Sequence, residues 1–70
     1  MAAYHPATID MVAAALTHVL LTPREIEPLL PIDLHRTTIR SVLHLLVRDG
    51  RALAEGDIYQ RRYRMAGAAI

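Results

Sequence analysis

Between residues 9 and 46 the apolar positions recur at spacings of three and four, which predicts a series of short helices. Ile9, Val12, Ala13, Leu16, Val19 and Leu20 make the first stripe. Thr8 is its expected N-cap and Asp10 lies in the expected first turn, where a carboxylate suits the helix dipole. Thr22-Pro23-Arg24-Glu25 is the sharpest local signal: a capping threonine, a proline at the first helical position, and a glutamate placed to close a capping box. Pro28 and Pro31 keep this second helix to about two turns, with a distortion expected at Pro28 and with Ile26, Leu29 and Leu30 facing inward. Residues 32–35 read as a turn in which Asp33 or His35 caps the next helix.

The third helix is predicted over Arg36 to Arg48, with Ile39, Val42, Leu43 and Leu46 on its buried side. Arg40, His44 and Arg48 stand four apart and share the opposite face. Asp49-Gly50 ends the helix, because glycine readily takes the left-handed conformation of a helix C-terminus. The period then changes. Residues 51–54 and 59–65 read as two short strands around a Glu55-Gly56-Asp57 turn, with Tyr63 and Met65 on one side and Arg62 and Arg64 on the other. The expectation is one domain spanning residues 1–70, mostly α with a small β-hairpin, with 1–7 and 67–70 as loose ends. A hairpin this short is marginal alone and must pack on the helices.

Composition narrows what such a domain can do. With 70 residues there is room for a single small core. The chain has no Cys, which excludes disulfide stapling, a Cys-ligated zinc and a thiol nucleophile. The four histidines, His5, His18, His35 and His44, fall on different predicted elements and form no close ligand pair, so no metal or other cofactor is expected. The glycines are isolated turn residues rather than a phosphate loop, and no carboxylate pair sits with a Ser or His. Neither enzymatic activity nor a small-molecule ligand is expected. No apolar run approaches the roughly 20 residues of a membrane span, and the N-terminus lacks a basic, apolar leader. A soluble, cytoplasmic protein without membrane contact is the resulting expectation.

Charge changes the picture most. All eight basic residues are arginine, and the formal net charge is only +1. Residues 1–33 hold one Arg against four carboxylates (−3), whereas residues 34–70 hold seven Arg against three (+4). The positive half carries the third helix and the hairpin, as expected of a surface that meets a polyanion.

Three helices followed by an arginine-rich hairpin resemble a winged helix-turn-helix domain of small bacterial or phage transcriptional regulators. The resemblance rests on Thr22, Glu25-Ile26, Leu30, Ile32, Thr38-Ile39, Leu43, Leu46, Asp49-Gly50, Leu53 and Arg62-Tyr63-Arg64-Met65, and covers about residues 8–66. Pro28 and a slightly longer turn over 31–36 depart from the usual pattern. The resemblance implies sequence-specific binding of double-stranded DNA, with the third helix in the major groove and the 51–65 hairpin as wing, in a regulator such as a repressor. The residues placed to make contact are Arg36, Thr37, Thr38, Arg40, Ser41, His44, Arg48, Arg61, Arg62 and Arg64. Arg40 suits either a guanine or a phosphate, and Arg48 a phosphate or solvent. Thr38 suits a structural role or a phosphate, and Tyr63 suits core packing better than base stacking. One recognition helix offers little interface, so a homodimer on a two-fold site is expected, with the first helix, the leader and the Ala-Ile tail as candidate dimer surfaces. The alternatives are a winged-helix protein–protein module, such as a phage or plasmid accessory protein without DNA readout, and a structural subunit of a larger assembly.

Overall fold

The computed structural model describes residues 4–57 and 60–67. Helix α1 spans Pro6–Ala15, α2 spans Pro23–Ile26 and runs into a 3-10 turn over Glu27–Leu29, and α3 spans Arg36–Arg48. Strands β1 (Ala52–Glu55) and β2 (Arg62–Met65) pair antiparallel, with Ala52 opposite Met65 and Glu55 opposite Arg62. The described residues thus form three helices, a 3-10 turn and a two-stranded hairpin.

The core gathers around α3. Ile39, Val42, Leu43 and Leu46 have no exposed surface, as their spacing predicts, and Val12, Ile26, Leu30, Leu16, Ala52 and Tyr63 close over them from the other elements. Burying each large aliphatic side chain contributes about 1.5–3 kcal/mol, so the α3 stripe is the main stabilising feature of so small a core. Both ends of α3 are defined by local chemistry. The His35 Nδ1 accepts a hydrogen bond from the Thr37 backbone N–H at 3.2 Å, making His35, not Asp33, the cap. Gly50 follows with φ 77°, and the Arg51 N–H reaches back to the Leu46 carbonyl at 2.8 Å.

The capping box of α2 forms as its residues predict. The Glu25 N–H donates to Thr22 Oγ1 at 3.2 Å, and the Thr22 N–H donates to Glu25 Oε1 at 2.9 Å. Pro28 lies inside the 3-10 turn, where the tighter winding changes which side chains point inward. Ile26 and Leu30 are buried, but Leu29 is 55% exposed instead of facing the core.

Helix α1 differs from its sequence reading at both ends. It begins at Pro6, inside the stretch expected to be loose, and His5 rather than Thr8 caps it through a 3.1 Å bond from the Ala7 N–H to Nδ1. Asp10 therefore falls outside the first turn. The helix stops at Ala15 because Leu16 turns to extended backbone, and the chain then runs alongside β2. Leu21 and Tyr63 exchange both backbone hydrogen bonds, at 2.9 and 2.7 Å, and the Met65 N–H donates to the Thr17 carbonyl at 2.8 Å. Residues 17–21 so guard the outer edge of β2 and anchor the hairpin to the helices. Val19, read as part of the helical stripe, is instead 54% exposed.

On the hairpin, Tyr63 is buried while Arg62 and Leu53 lie on the opposite face, as the strand alternation requires. Gly56 turns the chain with φ 95°, and a Cβ there would stand 2.5 Å from the Gln60 carbonyl oxygen, so only glycine fits. Tyr59, expected to open the second strand, and residues 68–70 of the expected loose tail lie outside the described residues.

Candidate nucleic-acid interface

An open groove of about 550 Å³ runs between the start of α2, the exposed face of α3 and the start of β2. Arg24 approaches from α2, Arg36, Arg40 and His44 from α3, and Arg61 from the residue before β2. Thr22 and Tyr63 complete its lining together with Pro23. The spacing of 36, 40 and 44 places these side chains one above another along an exposed flank of α3, beside its buried stripe.

Four arginines thus line one groove to which no carboxylate contributes. Among the described residues, Arg24, Arg36, Arg40 and Arg61 take part in no ion pair. Placing like charges together is unfavourable unless water or an anion compensates, so the groove is a region of concentrated positive potential. At its edge, Thr22 donates backbone and side-chain hydrogen bonds to the Glu25 carboxylate, which hold its pKa below the ordinary value. The nearby positive charge of Arg62 acts in the same direction.

The ten sequence-predicted contact residues separate into distinct groups. Arg36, Arg40, His44 and Arg61 meet in the groove. Thr37 is exposed beside it, on a second depression that also takes in Arg36 and Arg40 but is bordered by Glu27 and Asp33. Thr38 and Ser41 are half-buried on the flank of α3 and line neither depression. Arg62 is exposed on the outer face of the hairpin, close enough to Glu25 to act on its charge. Arg48 lies at the far end of α3, 3.8 Å from Asp49. Arg64 is drawn to Glu55 at 3.8 Å and donates to the Met65 carbonyl at 3.4 Å.

Thr22, Pro23, Arg24 and Tyr63 are the groove residues absent from the sequence-predicted contacts. Arg24 belongs to the acidic half of the chain, and counting charge by halves hid it. A signal was present nonetheless: Arg24 is the only arginine among residues 1–33 and follows the proline at the first helical position, near a helix start where the dipole disfavours a cation. Among the described residues, no group of three or more His, Asp or Glu side chains is placed to hold a metal ion, and no helix is long and apolar enough to cross a membrane. Comparison with family models, curated proteins and solved structures finds no match to this chain.

Proposed function

We propose that this protein binds double-stranded DNA as a winged helix-turn-helix module, with α3 entering the major groove and the hairpin flanking it as a wing. The observation that carries this reading is the convergence of Arg24, Arg36, Arg40 and Arg61 on one groove without a carboxylate among its lining residues. The element order supports it, with α2 and α3 packed on each other and the hairpin held against α3. An α-helix fits the major groove, where each base pair presents a distinct set of donors and acceptors. On α3 the face that would enter carries Arg36, Thr37, Arg40 and His44, all exposed hydrogen-bonding side chains. Arg40, at the middle of that face, is the best placed for a bidentate contact to guanine, while Arg24 and Arg61 at the borders suit phosphates. The proposed role is that of a transcriptional regulator acting as a homodimer, since one module of this size buries little surface on DNA.

Titration of mixed-sequence duplex at two salt concentrations tests the reading. Four phosphate contacts give a log–log slope near −3.6, so affinity should fall on the order of 100-fold between about 50 and 200 mM salt. Undetectable duplex binding at the lower salt would refute it. A protein-binding module is the second reading, favoured by the exposure of Leu29 and Ile32 on the connection between α2 and α3, at 55% and 51%. Absence of duplex binding combined with a stable heterologous complex that L29S disrupts would establish it instead.

A further inference from the structure

Among the described residues, Tyr63 is the one tyrosine that lines the groove, and its surroundings are unusual. The residue is only 4% exposed and its ring belongs to the core. A buried tyrosine hydroxyl normally finds a hydrogen-bond partner. Here none of the described residues supplies one. No buried side-chain oxygen or nitrogen among the described residues lacks a partner, so the Tyr63 hydroxyl must keep contact with solvent. Tyr63 also lines the arginine groove. The other hydroxyl of the groove, on Thr22, is already engaged with Glu25. Tyr63 is also held firmly: its N–H and carbonyl both bond Leu21, and it lies opposite Ala54 in the hairpin.

We infer that the Tyr63 hydroxyl opens into this groove and, with the surrounding arginines, forms a seat for a single phosphate group, in which the phenol donates a hydrogen bond to a phosphate oxygen. An O–H donor aimed at an anionic oxygen is charge-assisted and short, and a donor fixed by the core loses little freedom on binding. Arg24 from α2, Arg36 and Arg40 from α3, and Arg61 from the residue before β2 supply the charge, and Tyr63 supplies a donor whose ring is fixed by the core. The seat rests on the DNA reading only for the source of its phosphate: the same chemistry would hold a backbone phosphate of a duplex or a free phosphate ion.

The test compares the whole chain with Y63F, which removes the hydroxyl and keeps the ring in the core. Inorganic phosphate is titrated at constant ionic strength and followed through the arginine Nε–H resonances, and duplex DNA is titrated in parallel. Wild-type protein should bind phosphate saturably, with signals of Arg36, Arg40 and Arg61 moving together. Y63F should bind about 3- to 10-fold more weakly, with an unchanged melting temperature and an unchanged salt dependence, because no charge has been lost. Equal phosphate affinity in the two chains, or no saturable binding by wild type, overturns the seat. Should Y63F fail to fold, R36Q and R61Q at exposed positions replace it: a loss of phosphate affinity in both supports the seat, and no loss in either overturns it. Duplex binding by wild type with equal phosphate affinity in Y63F leaves the DNA reading standing without the seat. Phosphate binding weakened in Y63F, with no duplex binding by wild type, leaves the seat without DNA.

Discussion

Two sets of arginines occupy different electrostatic settings on this small surface. Arg48, Arg51 and Arg64 each face a carboxylate, at 3.8 Å from Asp49, 3.3 Å from Asp10 and 3.8 Å from Glu55. Arg24, Arg36, Arg40 and Arg61 share a groove that no carboxylate lines. Two of the first set link separate parts of the fold: Arg51 joins the residue before β1 to α1, and Arg64 joins the two strands, whereas Arg48 meets its chain neighbour. Among the described residues the second set contributes nothing to the fold through ion pairs; Glu27 and Asp33 border the neighbouring depression that shares Arg36 and Arg40, and a bound anion would relieve the remaining repulsion. The same side chain thus serves as a surface tie in one place and as binding potential in another, and the nearest carboxylate decides which. A net charge of +1 conceals this division completely.

The largest effect expected from breaking this contrast comes from the support beneath the groove. Leu43→Ala on the buried face of α3 should cost about 2–5 kcal/mol, a large part of the stability of a domain this size. Denaturant melts should show that loss, and DNA binding should disappear with the fold. Arg40→Ala separates the two faces of the same helix. It should leave the melt unchanged and weaken binding to a preferred site by about 1–3 kcal/mol, with reduced discrimination between sites in competition assays. Arg61→Ala should weaken binding about equally across sequences and lower the salt slope by about 1. If Arg40→Ala and Arg61→Ala give equal, uniform losses, Arg40 is a phosphate contact.

Smaller effects are expected from the cap of α2 and from the arginines that face a carboxylate. Thr22→Ala removes the cap of α2 and should cost about 0.5–2 kcal/mol of stability, read from melts. The Glu25 side of that cap is pH-dependent. Its pKa is lowered in the folded protein, so the stabilisation is present above the unfolded carboxyl value and is lost as pH falls through the folded value. Glu25→Gln should flatten this part of an acid titration of stability, and an unchanged acid limb would show that the cap is not its source. Smallest of all, Arg51→Ala should cost at most about 1 kcal/mol in melts, because its pair with Asp10 is solvent-exposed, and should change DNA affinity less than twofold.

How far the sequence could be read depended on whether local signals and tertiary pairing agreed. They agree throughout α3, where the apolar spacing, His35 and Gly50 define the same limits that the structure shows. They also agree at the α2 cap, which is built entirely from neighbouring residues. They conflict after Ala15. Val19 and Leu20 continue a helical stripe by spacing, but Leu21 gains both backbone bonds to Tyr63, and that distant pairing wins. Nothing local to residues 16–21 reports a partner so far along the chain. Leu29 misled for another reason: a 3-10 turn advances the side chains faster than an α-helix does, turning an expected core residue outward. In the groove, α3 and Arg61 were legible from the charge of the second half, whereas Arg24 required knowing that α2 starts beside α3.

The division between tied and groove arginines can be measured directly by the salt dependence of duplex binding in two matched variants, R36Q/R61Q and R48Q/R51Q. Each removes two positive charges from the same protein. The slope of log affinity against log salt should become shallower by about 1.8 in R36Q/R61Q and stay at the wild-type value in R48Q/R51Q. Equal changes in the two variants would contradict the account, because the arginines would then act only through net charge and the groove would have no special role.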